Sequence, residues 1–300
     1  MPTPTEQPIP RESLVRSGLA NLYVRDIGHG VPIIVLHGGP DFDHEYFLPE
    51  LDRLAELVRL IYYDQRGRGR SFSGGGADNV TLAGEIEDLD RIRDWTRLDA
   101  VAVLGHSWGG VVAMEYAIRH PERVTHLILM NTAPASHAGI LEVRRHLRER
   151  RSPEQFDRMS EIALTPAFEE GDIDAEAEYY RIHFGTTLHE PELLDDVITR
   201  LRINFTGESV VAARAIEHRL YEQTWSSEDY NLIPKLRLLD VPALLIHGEH
   251  DLIPIDVVRE IAEAIPGSRL VELDGCGHFS YLEHTDRVVS VIGEFLAQSQ

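Results

Sequence analysis

The sequence predicts an α/β fold in which a mostly parallel sheet is covered by helices on both faces. Short apolar runs alternate with amphipathic helical patterns along the first part of the chain, and this alternation returns near its end. Between the two parts, long charged helical patterns with scattered aromatic residues replace the apolar runs. We therefore expect three segments: core residues 1–134, a helical insertion over residues 135–234, and core residues 235–300.

The first core segment contains apolar runs that predict strands and longer patterns that predict helices. A helix is expected over Leu82–Leu98 because its apolar residues recur at spacings of three and four, which places them on one helical face. Strands are expected at Leu19–Ile27, Ile33–Leu36, Val58–Tyr63, Val101–Leu104 and Val124–Met130, and further helices at Phe47–Leu57 and Gly110–His120.

The second core segment repeats the same order of elements. Strands are expected at Ala243–Ile246 and Arg269–Leu273, and helices at Ile255–Ile265 and Asp286–Ala297. Ligands bind outside the carboxyl ends of the strands in open α/β sheets, so we expect the helical insertion to cover that edge.

The chain of 300 residues is strongly acidic. Asp and Glu outnumber Lys and Arg by 50 to 29, which gives a formal net charge of -21. Nucleic acids and anionic membrane surfaces repel such a protein, so neither is an expected partner. A small molecule or short peptide is the expected partner, and the oligomeric state is left open.

Cysteine content and the amino terminus bear on the compartment. The single cysteine, Cys276, excludes a disulfide within the chain and favours the reducing cytoplasm. The sequence has no run of about 18 apolar residues, so a membrane-spanning helix is not expected. Met1–Pro10 lacks the basic and apolar regions of a signal peptide and is predicted to be a disordered lead-in or an arm over a neighbouring surface.

The most informative motif is Gly-His-Ser-Trp-Gly at Gly105–Gly109, between a predicted strand and a predicted helix. A serine at such a turn is held in a strained backbone with its hydroxyl above the sheet. The free N–H groups of the following helix can stabilise a negative oxygen. We predict that Ser107 is a nucleophile, the alternative being a structural serine in a tight turn.

A serine hydroxyl needs a base to become a nucleophile, and the base needs an orienting acid. Asp251 follows the predicted strand Ala243–Ile246, and His278 follows the predicted strand Arg269–Leu273. Both loops leave the sheet edge at which Ser107 is expected, in the chain order serine, acid, histidine. We predict Asp251 as the acid and His278 as the general base.

Alternatives to these assignments exist nearby in the sequence. Glu249 and Asp274 are rival acids, and His250 is a rival base, each more typical of a solvated or structural loop position. Cys276 lies two residues before His278 but lacks the strand–turn–helix setting of a nucleophile, and a buried small residue is its usual role.

The His-Gly-Gly-Pro stretch at His37–Pro40 follows the predicted strand Ile33–Leu36. Backbone N–H groups of such a loop, together with the N–H of the residue after the nucleophile, form an oxyanion hole. We assign Gly39 and Trp108 to this role, with a simple tight turn as the alternative for the glycines. His37 is expected to hydrogen-bond the loop.

The sequence predicts neither a metal nor a cofactor. His37, Asp41, Asp43 and His44 are ligand-type residues, but they lie across the loop assigned to the oxyanion hole, and no second cluster completes a site. The sequence contains neither G-x-x-x-x-G-K-[ST] nor G-x-G-x-x-G, the two glycine-rich motifs whose backbone binds phosphate groups.

Together these motifs resemble the α/β-hydrolase family over about residues 1–135 and 235–300. The stretch Asp64–Ser71 (Asp-Gln-Arg-Gly-Arg-Gly-Arg-Ser), beside the His-Gly-Gly-Pro and Ser-Trp-Gly-Gly motifs, is similar to the proline iminopeptidase branch. The resemblance implies a triad of Ser107, Asp251 and His278 under a helical cap, with no metal or cofactor. It also implies that Asp64 and Arg66 hold the loops beneath the site together.

The expected function is therefore that of a serine hydrolase, most similar to an aminopeptidase or amidase on small substrates. Proline iminopeptidases bind the substrate's amino terminus with glutamates from the cap and near the catalytic acid, whereas Leu252–Pro254 after Asp251 has no carboxylate. The candidate cap carboxylates are Glu208, Glu217 and Glu222. The alternatives are a carboxylesterase or lactonase on small esters and, in another class, a non-catalytic ligand-binding protein of the same fold.

Overall fold

Eight strands form one sheet with the order β1-β2-β4-β3-β5-β6-β7-β8 in the computed structural model, which describes residues 8–298. Residues 1–7 of the expected amino-terminal lead-in lie outside the described residues. The strands are β1 (Arg11–Ser17), β2 (Ala20–Gly28), β3 (Pro32–Leu36), β4 (Arg59–Tyr63), β5 (Val101–His106), β6 (Val124–Met130), β7 (Ala243–Gly248) and β8 (Arg269–Leu273).

The sheet is mostly parallel, as predicted. Strands β3 to β8 run in one direction, whereas β2 pairs antiparallel with both β1 and β4. The sequence analysis did not predict β1. Its segment is rich in charged residues, and only Val15 and Ser17 are buried, because β1 is an edge strand with much of its surface open to solvent.

The helices cover both faces of the sheet and fill the insertion. They are α1 (Leu82–Thr96), α2 (Trp108–Arg119), α3 (His137–Arg150), α4 (Pro153–Ala163), α5 (Pro166–Glu169), α6 (Ile173–Phe184), α7 (Leu194–Leu201), α8 (Gly207–Glu222), α9 (Ile233–Leu236), α10 (Ile255–Ala264), α11 (Ser280–Glu283) and α12 (Thr285–Ala297). No helix within residues 8–298 is long and apolar enough to cross a membrane.

The predicted helix over Phe47–Leu57 is helical in part but is not one α-helix. The segment forms two 3₁₀ helices instead, His44–Phe47 and Glu50–Glu56. Pro49 separates them because it lacks an N–H and disfavours helical backbone at the preceding residue, which is extended here.

Alternate side chains of the central strands point to opposite faces of the sheet, and each face has its own hydrophobic core. In β3, Ile34 and Leu36 belong to one core, and Ile33 and Val35 belong to the other. All four are fully buried, and each such side chain contributes about 1.5–3 kcal/mol on burial. The two cores make the sheet a rigid base for the loops at its carboxyl edge.

Only helices and loops join β6 to β7, and this insertion, α3 to α9, packs over the carboxyl edge of the sheet. The Tyr180 hydroxyl donates to Asp41 at 2.7 Å, and the Asn204 amide donates to Asp43 at 2.8 Å. Both carboxylates lie in the loop after β3. The insertion is therefore fastened directly to the loop that contains Gly39.

Candidate active site

Ser107 lies at the sharp turn between β5 and α2. Its backbone is at φ 51° and ψ -118°, a conformation that costs a non-glycine residue free energy. A Cβ at Gly105 would lie 2.3 Å from the Gly109 carbonyl oxygen, and one at Gly109 would lie 2.3 Å from that of Leu36. A side chain at either position would clash with the backbone, so both glycines are required for this close packing.

Asp251 and His278 meet beneath the cavity that Ser107 lines. His278 Nδ1 is 2.8 Å from Asp251 Oδ1, and both side chains are buried. Asp251 Oδ1 also accepts from the Ile253 N–H at 2.9 Å, while Oδ2 accepts from Asn131 Nδ2 at 2.8 Å. Both carboxylate oxygens are therefore held, and the His278 ring is oriented by Asp251.

The surroundings of Asp251 keep it ionised. Burial opposes ionisation, but the His278 and His247 rings and the hydrogen bonds from His278 and the Ile253 N–H hold the pKa of this carboxyl well below its ordinary value. An ionised Asp251 takes the proton-bearing Nδ1 of His278 as its partner and leaves Nε2 as the acceptor.

Ser107 and His278 line one cavity of about 310 Å³ beneath the insertion. No hydrogen bond joins the Ser107 hydroxyl to His278 among the described residues. Hydrogen bonds between a nucleophile and its base are often long before substrate binds and tighten in the complex. The structure thus brings the three predicted residues to one place, with the Asp251–His278 contact formed.

The backbone N–H groups near Ser107 differ in whether an acceptor within the protein already uses them. The Gly38 N–H donates to the Tyr46 hydroxyl at 2.7 Å. Within residues 8–298, the N–H groups of Gly39 and Trp108 donate to no acceptor. A Cβ at Gly38 would lie 3.0 Å from the Ser107 Cβ, so the loop after β3 passes close to the serine. Both N–H groups are therefore available to a hydrogen-bond acceptor bound beside Ser107.

His106 links the loop after β3 to the loop after β8 that contains His278, here called the histidine loop. Tyr46, which accepts from the Gly38 N–H, is 2.7 Å from His106 Nδ1, and His106 Nε2 is 2.9 Å from the His278 carbonyl oxygen. Burial lowers the pKa of His106 to about 3, so the ring is neutral, donates from Nε2 and accepts at Nδ1. Sequence reasoning did not find this network, although His106 lies inside the motif.

Part of the cavity lining, here called the acidic wall, carries carboxylates. The carboxylates are those of Asp41, Glu176 and Glu217, and the cationic side chain of Arg214 lines the same cavity. Arg214 donates to Glu176 at 2.8 Å, so one acid is already paired. Asp41 accepts from the Tyr180 hydroxyl, and burial raises the pKa of Asp41. Sequence reasoning missed Asp41 and Glu176 as residues of an acidic wall.

Glu217 makes no hydrogen bond or ion pair with any described residue. Glu217 is an exposed residue that lines the cavity. Desolvation by the protein atoms around its carboxyl group, together with the Asp41 and Glu176 carboxylates, raises the pKa of Glu217 to about 8. The other two candidate cap carboxylates, Glu208 and Glu222, are likewise exposed but do not line this cavity.

Aromatic side chains form much of the remaining cavity lining and give it apolar surface. They come from the loop after β3, from the insertion and from the histidine loop: Phe42, Tyr46, Phe168, Tyr179, Tyr180, Phe184 and Phe279. The cavity therefore combines aromatic surface with a group of carboxylates.

The rival residues lie elsewhere. Glu249 accepts from the Gly275 N–H at 3.0 Å, Asp274 is exposed, and His250 stacks on His189. Cys276 is buried and unoxidised, and burial raises the pKa of its thiol.

His37 hydrogen-bonds its loop, as expected. Its Nδ1 is 2.9 Å from the Gly38 carbonyl oxygen, and its Nε2 is 3.0 Å from the Gln65 nitrogen. The ring therefore joins the loop after β3 to the loop after β4.

Ligand-type residues do cluster once in residues 8–298, as Asp43, His44 and Asp64. His44 Nδ1 is 2.6 Å from Asp64 Oδ1, and the Arg70 N–H donates to Asp64 Oδ2. Both Asp43 oxygens also accept hydrogen bonds, from Asn204 and the Glu45 N–H. Protein donors thus use these atoms, which favours a structural role for the cluster.

Known proteins are similar to this chain over almost its whole length. A proline iminopeptidase of Lactobacillus helveticus is 31% identical over 273 residues, which are 89% of this chain and 90% of that protein. A proline iminopeptidase of Saccharolobus solfataricus is 26% identical over 89% of this chain and 84% of that protein.

Solved structures share the fold. The proline iminopeptidase of Mycobacterium smegmatis superposes with a TM-score of 0.73 at 24% identity, covering 96% of this chain and 98% of that one. The enol-lactonase of Burkholderia xenovorans LB400 superposes with a TM-score of 0.68 at 24% identity, covering 96% of this chain and all of that one. Residues 31–285 match the alpha/beta hydrolase fold family, and the chain belongs to that family.

Proposed function

We propose that the protein is a serine hydrolase that acts through an acyl-enzyme, with Ser107 as nucleophile. The Ser107 oxygen attacks the substrate carbonyl while His278 Nε2 takes the hydroxyl proton. Asp251 stabilises the imidazolium that forms. The leaving group departs with this proton, and a water molecule, activated in the same way, then releases the acid and regenerates Ser107.

Gly39 and Trp108 complete the proposed reaction. Their N–H groups have no acceptor among the described residues: Trp108 directly follows Ser107, and Gly39 lies beside Gly38 in the loop that passes close to the serine. In this proposal they donate to the attacked carbonyl oxygen, where negative charge develops. Donors positioned before the reaction begins are worth more in a site shielded from water than in solution. The helical insertion, residues 135–234, acts in this proposal as the cap that shields the site.

The substrate that the cavity fits best has a cationic amine and a small apolar body. The observation that carries this proposal is Glu217, an unpaired carboxylate open to the cavity that contains Ser107. A hydrogen bond between an ammonium group and a carboxylate is worth about 1.5–3 kcal/mol. An aminopeptidase acting on an amino-terminal proline or similar small residue meets this description, and the similar proteins named proline iminopeptidase support it.

Hydrolysis of small esters or lactones is the second candidate. The aromatic lining gives an uncharged acyl group a surface to bind, and the acidic wall is not needed for it. Turnover of prolyl 2-naphthylamide, its amine-blocked derivative and a short-chain aryl ester separates the candidates. Preference for the free amine supports the aminopeptidase, and turnover of the ester alone supports the esterase. If no substrate is turned over and the fluorophosphonate probe does not label the protein, a binding protein is supported.

A further inference from the structure

Arg150, the last residue of α3, places its guanidinium among backbone carbonyl oxygens. One terminal nitrogen donates to the His250 and Asp251 carbonyl oxygens, each at 2.8 Å. The other donates to the Thr186 carbonyl oxygen. No carboxylate within residues 8–298 forms an ion pair with Arg150, and burial lowers its pKa. Arg150 is half-buried, and a charge partly removed from water in this way requires well-used donors.

The segment that Arg150 contacts in the cap also touches the histidine loop. The His278 N–H donates to the Thr187 carbonyl oxygen at 2.9 Å. A Cβ at Gly277 would lie 2.0 Å from that same oxygen, so the two backbones pack without space between them. Thr186 and Thr187 therefore join the loop of the acid, through Arg150, to the loop of the base.

We propose that Arg150 is a positioning residue for the Asp251–His278 pair. The guanidinium fixes the backbone of Asp251 relative to Thr186, while the adjacent Thr187 fixes the backbone of His278. The separation between Asp251 Oδ1 and His278 Nδ1 is thereby set from the cap as well as from the sheet. A displacement of about 1 Å in such a pair can cost about 100-fold in rate.

The inference rests on the proposed function and concerns a different contact. Because α3 belongs to the insertion, the Arg150 contacts tie the backbone of Asp251 to the cap, separately from the contacts of the insertion with the loop that contains Gly39. Loss of Arg150 should therefore slow the chemical step and leave substrate binding by the acidic wall unchanged, which a purely structural role would not do selectively.

The test uses the rate at which a fluorophosphonate probe labels Ser107 in the full chain. Arg150→Met keeps the apolar stem and removes the donors, and we expect labelling and kcat to fall about 10- to 100-fold with KM unchanged. Arg150→Lys should recover part of the loss. The control is Arg148→Met, because Arg148 is exposed on the same helix and should label at the wild-type rate.

A second arm shows whether Arg150 acts through Asp251. In an Asp251→Asn background, Arg150→Met should slow labelling little further, because the contact it positions is already lost. The inference is overturned if Arg150→Met is labelled at the wild-type rate. It is also overturned if the effect of Arg150→Met adds in full to the effect of Asp251→Asn. If Arg150→Met does not fold, Arg150→Lys is compared with the wild type, and equal rates overturn the inference. Absence of labelling in the wild type contradicts the Ser107 assignment and the inference with it.

Discussion

Asn131 donates from its side-chain amide to Asp251 Oδ2 at 2.8 Å, using the carboxylate oxygen that His278 does not use. Asn131 directly follows β6 with a positive φ of 47°, and its amide oxygen accepts from the Ser280 hydroxyl at 2.5 Å. Asparagine tolerates this left-handed backbone better than most residues. The side chain thereby holds both Asp251 and the segment after His278.

The first prediction concerns Asn131→Gly. Glycine adopts the positive φ without strain, so the substitution removes the amide and leaves the turn. We expect kcat to fall about 10- to 100-fold, as when an orienting partner is lost from other sites. Steady-state kinetics beside a thermal unfolding curve measures this, and an unchanged kcat would show that Ile253 and His278 hold Asp251 well enough without the amide.

The second prediction concerns the backbone of Ser107. Ser107→Ala and Ser107→Gly should both lose hydrolysis, but only glycine relieves the strained conformation. We expect Ser107→Gly to raise the free energy of unfolding by about 1–3 kcal/mol over Ser107→Ala, measured by urea denaturation. Mass spectrometry of the wild type after fluorophosphonate treatment should find the adduct on Ser107. An adduct on Cys276 would overturn the assignment.

The third prediction separates the acid from its rivals. Asp251→Asn should cost about 10⁴ in kcat, because an amide favours the wrong tautomer of His278. Glu249→Gln and Asp274→Asn are the matched controls and should cost far less, since neither contacts His278. A loss of similar size for Glu249→Gln would mean that the wrong carboxylate has been assigned.

Short motifs in a strand–turn setting could be interpreted from the sequence, and contacts between distant segments could not. Ser107, Asp251 and His278 follow the carboxyl ends of predicted parallel strands, which necessarily meet at one edge. Asn131 also follows such a strand, but its partner is 120 residues away, and no local pattern connects the two.

The insertion was harder to interpret because it is rich in carboxylates and has no short motif. Glu217 was a candidate for its position in the cap, but nothing local distinguishes it from Glu222 or reveals Glu176. Only the tertiary arrangement of α6 and α8, which the Glu176–Arg214 ion pair joins, decides which carboxylates face the cavity. The roles of these residues and of the triad stay predictions until variants are tested.

The fourth prediction is a dependence of stability on pH from Glu217. Its pKa is raised to about 8 in the folded protein, so the folded state binds a proton that the unfolded chain releases from about pH 4.5 upward. Ionisation of Glu217 therefore destabilises the protein as the pH rises toward 8. Glu217→Gln should unfold at a higher temperature than the wild type at pH 8, with the difference vanishing near pH 4. A difference that does not change with pH would contradict the raised pKa.

The last prediction concerns the amine of the substrate. An ammonium group bound at Glu217 favours the ionised carboxylate, so kcat/KM for prolyl 2-naphthylamide should rise with pH toward 8 and fall once the amine loses its proton. Blocking the amine should lower kcat/KM about 10- to 100-fold, the equivalent of one charge-assisted hydrogen bond. Glu217→Gln should show a similar loss on the free amine and little change on the blocked substrate. The control is Glu222→Gln, because Glu222 is exposed outside the cavity, and it should behave as the wild type. Equal turnover of free and blocked substrates, or reaction with aryl esters alone, would show that the protein is a carboxylic-ester hydrolase in which the acidic wall does not bind an amine.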